Sequence, residues 1–160
     1  MAETAILSPC PPLRQASLPA IGAPALRRLA EALGAPLPPP GRAAAGEGGL
    51  LWRAAPRSWR WLGEGAAPFH AWPEAATVEL GPGLSRIALR GPLAREVAAR
   101  AVALDLREAA FPPGAVATTV HRGATVTLLR GAEGWDLLVP RSLGEDFAAR
   151  LAEIAGRLEG

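Results

Sequence analysis

The stretch LDLREAAFPPGAVATTVHRGATVTLLRGAEGWDLLVPRSLGEDF, residues 104–147, joins a Phe-Pro-Pro-Gly turn to three short strands and the start of a helix. Short runs rich in Val, Thr, Leu and Trp over 116–121, 125–130 and 135–139 read as strands, and Gly123, Gly131 and Gly134 mark the turns. Ser142 and Glu145 stand at capping-box spacing, which predicts that the last helix begins there. Leu143, Phe147, Leu151, Ile154 and Leu158 continue it as one apolar stripe.

Working upstream, residues 92–103 read as a helix with Leu93, Val97 and Ala101 on its buried face, opened by Gly91-Pro92. Before it, 77–80 and 85–90 read as a hairpin through Gly81-Pro82-Gly83, with Val78, Leu80, Ile87 and Leu89 turned inward. Two further strands are expected at 50–54 and 58–62, the second placing Trp59 and Trp61 on one face and Arg60 on the other. A helix over 24–33 follows from Pro24 in its first turn, Leu26, Leu29 and Leu33 at helical spacing, and Gly34 at its end. Residues 41–49 read as a flexible loop, and residues 1–22 as a Pro-rich lead-in, extended or partly mobile.

Helices interspersed with short, hairpin-linked strands predict an α+β fold, because a parallel sheet needs a helix between most successive strands. The expectation is a single domain over 23–160, with antiparallel strands packed against three helices. The order suggests a loose duplication of a helix-and-strands unit, without sequence identity that would make it a repeat.

At 160 residues, 49% hydrophobic and 20% charged, the chain suits one globular core, which at this length buries roughly 70% of the surface of the unfolded chain. No apolar run reaches the roughly 18 residues of a membrane span. Glu3 and the absence of a basic segment near Met1 speak against a secretory signal, so a cytoplasmic location is expected. A pI near 9.9 rests on a net charge of only +2: all seventeen basic residues are Arg, with no Lys or Tyr to titrate. Those arginines are dispersed, which argues against a nucleic-acid surface.

Cys10 is the single cysteine, and His70 and His121 are the two imidazoles, so an intrachain disulfide is excluded and a structural zinc centre is not expected. His121 ends a strand and reads as a turn histidine, and His70, between Phe69 and Trp72, as a loop histidine. Asp105 and Glu108 read as local turn-bonding groups. The glycine-containing segments spell neither a phosphate loop nor a dinucleotide fingerprint. Trp52, Trp59, Trp61, Trp72 and Trp135 are open to two readings, core packing or the stacking of a ligand or partner. No catalytic set emerges.

From residue 23 to 158 the chain resembles the gamma subunit of heterotetrameric sarcosine oxidase, a relative of the glycine-cleavage T-protein. The resemblance is carried by RIALRGPLAREV at 86–97, LDLREAAFPPGAVATT at 104–119 and DLLVPRSLGEDF at 136–147. It is supported upstream by ALRRLAEALGAPLP and LLWRAAPRSWRWLG. The family commonly has an Asp-x-Ser element before its central strand, where this chain has Glu79-Leu80-Gly81-Pro82-Gly83-Leu84-Ser85. Fine interface detail is therefore not carried over from that segment.

The resemblance implies a T-protein-like, folate-binding-domain-like fold. It also implies a non-catalytic subunit working with alpha, beta and delta partners to demethylate sarcosine oxidatively. FAD, FMN, NAD, zinc and tetrahydrofolate are expected in those partners, with none in this chain. Phe111, Pro112, Pro113, Gly114 and Arg141 are the expected interface contacts, since two prolines stiffen the turn and Phe111 offers an apolar anchor, with capping of the chain's own core as the other reading of Phe111. The alternative is a stand-alone T-protein-like folate-binding protein or aminomethyltransferase.

Overall fold

The computed structural model describes residues 5–18 and 22–160. In chain order these form β1 (Ile6–Pro9), β2 (Leu13–Ser17), α1 (Ala23–Leu33), β3 (Ala43–Gly46), β4 (Gly49–Ala55), β5 (Ser58–Leu62) and β6 (Ala76–Glu79). There follow β7 (Leu84–Arg90), α2 (Ala94–Ala101), β8 (Val116–His121), β9 (Ala124–Arg130), β10 (Gly134–Pro140) and α3 (Gly144–Glu159). The fold is α+β, with two five-stranded antiparallel sheets ordered β1-β7-β10-β9-β8 and β3-β4-β5-β2-β6. Contacts divide the chain into two compact units, Pro11–Gly81 and a second made of Pro82–Gly160 with the residues before Pro11.

In the second unit, period-2 alternation sends Ile87, Leu89, Val126, Leu128, Trp135 and Leu137 to one face of the sheet. That face packs on Val97, Ala98 and Ala101 of α2 and on Phe147, Leu151 and Ala155 of α3. Pairing of Leu137 with both Ile87 and Leu128 holds the three central strands in register, and slippage by one residue would turn the apolar set outward. On the other side Asp136 lies opposite Ala88 and accepts from Arg86 at 3.0 Å and Arg90 at 2.9 Å, its two diagonal neighbours. Buried Thr127 satisfies its hydroxyl with that of Thr118 at 3.0 Å.

In the Pro11–Gly81 unit, Trp59 and Trp61 of β5 point to one face, as expected, and join Ala16, Leu51, Leu29 and Leu33 in the core. Gly34 closes α1 at φ 73°, with its amide bonded to the carbonyls of Ala30 and Glu31. Gly49 has no room for a side chain, because a Cβ there would lie 2.5 Å from the Trp61 ring.

The two units share one connectivity. In each, a strand leads through a helix to a three-strand meander whose last member pairs with the first strand: β2-α1-β3-β4-β5 and β7-α2-β8-β9-β10. The fifth strand of each sheet precedes the other unit's first strand in the sequence. Thus β6 pairs with β2, and β1 pairs with β7.

This exchange corrects the expected hairpin over 77–90. Gly81–Gly83 is a short 3₁₀ turn that passes the chain from one sheet to the other, and Val78 is 50% exposed while Ile87 and Leu89 are buried. The lead-in read at 1–22 supplies β1 and β2, one strand to each sheet, so part of it is extended but hydrogen-bonded. The loop read at 41–49 contains β3, whose Ala-rich sequence carries none of the usual strand preference and is held by pairing with β4.

The expected cap of α3 is also corrected. Ser142 lies in a 3₁₀ turn, Arg141–Leu143, and no side chain caps the helix, which begins at Gly144. A Cβ at buried Gly144 would lie 2.8 Å from the Ser85 hydroxyl, so close packing with β7, and not a capping bond, sets the helix entry.

Candidate functional site

The Phe-Pro-Pro-Gly turn is held from both ends. Asp105 accepts from the backbone amide of Arg107 at 3.1 Å and from its guanidinium Nε at 2.9 Å, and these bonds lower the carboxyl to about 2. The amide of Phe111 then bonds to the Arg107 carbonyl at 2.8 Å, and that of Ala115 to the Pro112 carbonyl at 2.9 Å. Gly114 takes φ 85°, a left-handed value that suits glycine.

Arg130 of β9 locks this loop to the sheet. Its guanidinium donates to the Phe111 carbonyl at 2.7 Å and to Glu108 at 2.6 Å, and lies 4.9 Å from the Trp135 ring centroid. Its backbone exchanges bonds with Gly114 and Ala115. Nothing in the local sequence singled out Arg130, since its role arises from a loop that returns to the end of β9.

Phe111 is 6% exposed and stacks on Trp135 with centroids 5.4 Å apart. Its side chain therefore packs in the chain's own core, the second of its two readings from the sequence. Pro112 and Gly114 are half-buried and Pro113 is exposed. Arg141 is exposed and donates to the Pro82 carbonyl at 3.2 Å. The local reading of Asp105 holds, whereas Glu108 reaches across to Arg130.

All five tryptophans are buried, so core packing accounts for them. Trp61 donates from Nε1 to the Gly65 carbonyl at 2.9 Å, and Arg28 lies 4.3 Å from the Trp72 ring while pairing with Glu74 at 2.7 Å. A cleft of about 720 Å³ beside Trp61 is lined by Glu31, Glu47 and Glu64. His70, exposed at its rim, holds the Ala67 carbonyl through Nδ1 at 2.7 Å.

His121 ends β8 as a turn histidine, yet its ring meets Phe147 edge-on at 5.2 Å, and its Nε2 is buried with no hydrogen-bond partner among the described residues. Burial, then the guanidinium groups of Arg150 and Arg122, push the imidazole below its ordinary range. The sequence showed His121 and the Arg122-Gly123 turn, but α3 brings Arg150 to them only in the folded chain. Among the described residues no group of three or more His, Cys, Asp or Glu is placed to hold a metal ion, and no helix is long and apolar enough to cross a membrane.

No protein-family model matches the chain, and no curated protein matches it by sequence. Regulatory subunits of aspartate kinase from Thermus thermophilus and Thermus flavus superpose with TM-scores of 0.47 and 0.46 at 10% and 11% identity. Each covers 96% of this chain and 97% of the neighbour, and likeness at that level says nothing about function. A chain of the heterotetrameric sarcosine oxidase from Corynebacterium sp. U-96, solved with pyrrole 2-carboxylate, superposes with a TM-score of 0.78 at 21% identity, over 98% of this chain and 86% of that one. The fold described above is therefore shared, almost end to end, with a subunit of a heterotetrameric sarcosine oxidase.

Proposed function

We propose that this chain is the gamma subunit of a heterotetrameric sarcosine oxidase. In this reading it is a non-catalytic partner of alpha, beta and delta subunits in the cytoplasmic enzyme that demethylates sarcosine to glycine. That enzyme yields hydrogen peroxide and, with tetrahydrofolate, methylenetetrahydrofolate. The observation that carries the reading is the whole-chain superposition at a TM-score of 0.78. Fold alone does not assign function. The segments at 86–97, 104–119 and 136–147 add the sequence support that the fold lacks.

The finer parts of the reading follow from the same resemblance. The fold is placed with the T-protein-like folate-binding domains, and FAD, FMN, NAD, zinc and tetrahydrofolate are assigned to the partner subunits. Docking is assigned to Pro112, Pro113, Gly114 and Arg141, with Phe111 stiffening the turn from beneath through its stack on Trp135. A turn already ordered before binding loses less entropy when it docks.

The test is co-expression with the three presumed partners, beside purification of the chain alone. The isolated chain should show no flavin band and no peroxide production with sarcosine, and it should co-purify stoichiometrically with the flavoprotein partners. A stoichiometric flavin band or turnover by the isolated chain would overturn the reading, as would failure to co-purify. Arg141→Ala, shown to be folded by circular dichroism, should reduce co-purification. Undiminished assembly would remove Arg141 from the docking surface.

A further inference from the structure

Beside the end of β8, a cavity of about 180 Å³ is lined by His121, Arg122, Leu143, Asp146, Phe147 and Arg150. It is smaller than the roughly 300–1,000 Å³ of pockets that hold drug-sized ligands, so its natural occupant is a small group. Two of its residues carry buried nitrogens with no hydrogen-bond partner among the described residues, Nε2 of His121 and Nε of Arg150. A buried polar atom left unmet is destabilising, so such atoms are normally partnered.

Arg122 adds a second, independent observation. His121 pairs with Ala124, so Arg122 and Gly123 form a two-residue turn, and both have positive φ, 51° and 82°. Turns of this kind favour Asn-Gly or Gly-Gly, because the Cβ of most residues crowds the backbone in a left-handed conformation. Arg122 is the one non-glycine residue with positive φ among the described residues. Strain retained where another residue would relieve it points to a role for the side chain.

We propose that His121, Arg122 and Arg150 form a binding site for one small oxyanion, a carboxylate or phosphate group, in this cavity. Two guanidinium groups against the single carboxylate of Asp146 leave the lining with net positive charge. Arginine's planar fork is suited to such anions. A bound anion opposes the effect of the two arginines on His121 and so favours the protonated ring. The site is independent of the subunit reading, since nothing in its argument uses the partners.

The test follows the His121 ring by ¹H–¹³C NMR in the full chain while potassium phosphate or potassium acetate is titrated against chloride at matched ionic strength. Arg150→Gln and Arg122→Gly are compared with the wild type, and His121→Gln assigns the signal. Saturable shifts are expected, with the His121 midpoint moving to higher pH as the site fills. Saturation by phosphate alone assigns a phosphate site, and saturation by both ions a general oxyanion site. Arg150→Gln should weaken binding about tenfold, as for loss of a charged hydrogen bond. Arg122→Gly should weaken it several-fold while leaving the thermal midpoint unchanged or higher, because glycine relieves the strained φ. A non-saturating shift equal to that in chloride, or binding unchanged in both variants, would overturn the proposal.

Discussion

The Pro11–Gly81 unit and the unit built on Pro82–Gly160 run a strand, a helix and a three-strand meander in the same order, yet they cover their sheets by different means. In the second unit α2 and α3 provide the cover, and the core is mostly aliphatic, with Phe111, Trp135 and Phe147 as its large rings. The first unit has one helix, α1, and the stretch 63–75 follows its meander where α3 follows the other. That stretch buries Ala67, Phe69, Trp72 and Ala75 beside Trp59 and Trp61.

Large rings each bury about 150–250 Å², so a few of them can fill volume that would otherwise need a helix. The backbone of such a stretch must still meet its own polar groups. Here the amides of His70, Trp72 and Ala75 bond to the carbonyls of Ala67, Phe69 and Trp72, a chain of single turns in place of a helical ladder. A shared connectivity therefore does not require a shared way of making the core.

The strongest test of this contrast is Trp61→Ala, which should cost about 3–5 kcal/mol in denaturant melts, since the ring is 1% exposed, belongs to the same core as Phe69 and Trp72, and donates to the Gly65 carbonyl of that stretch. A loss under about 1 kcal/mol, well below that range, would mean that α1 alone carries this unit. Gly49→Ala should cost about 1–3 kcal/mol by overpacking the same ring. Combining it with Trp61→Ala should remove only the part of the penalty due to the ring, because the Leu62 carbonyl, 2.8 Å from the added Cβ, stays in place.

Helix entry gives a smaller effect. Ser142→Ala should change stability by no more than about 0.5 kcal/mol, since the exposed side chain makes no capping bond. A loss of about 1 kcal/mol or more would restore the capping box in solution.

The smallest effect is expected at Asp105, whose carboxyl should titrate at about 2 by NMR and rise toward its ordinary range in Arg107→Gln, staying below it because the backbone amide of residue 107 still donates to it. Its pKa is lowered on folding, so the stabilisation is complete above the ordinary carboxylate range. It is lost as pH falls toward about 2. Exposure of both side chains to solvent keeps this contribution small. An unshifted midpoint in the wild type would remove Asp105 from the turn that leads into Phe111.

What the amino-acid sequence determined by itself is what local periodicity can encode. The alternation in β7, the strands β9 and β10, the apolar stripes of α1 and α2, Gly34 at the end of α1 and the paired orientation of Trp59 and Trp61 were all legible. The Phe-Pro-Pro-Gly turn and the Arg122-Gly123 turn were visible as turns, and His121 as the residue ending a strand. Tertiary structure alone decided which strands pair. Ile6 opposite Ala88 and Gln15 opposite Val78 are choices between distant segments whose local patterns would equally allow a hairpin. Only the fold could show β3, an Ala-rich segment made a strand by its neighbour, and the entry of α3, set by close packing at Gly144 against Ser85. The same holds for the site residues: Phe111 became core because Trp135 lies under it, and Arg150 became a neighbour of His121 because α3 packs beside β8. Periodicity reports which face of an element is apolar. The partner of that face depends on contacts far apart in the chain, which only the folded molecule brings together.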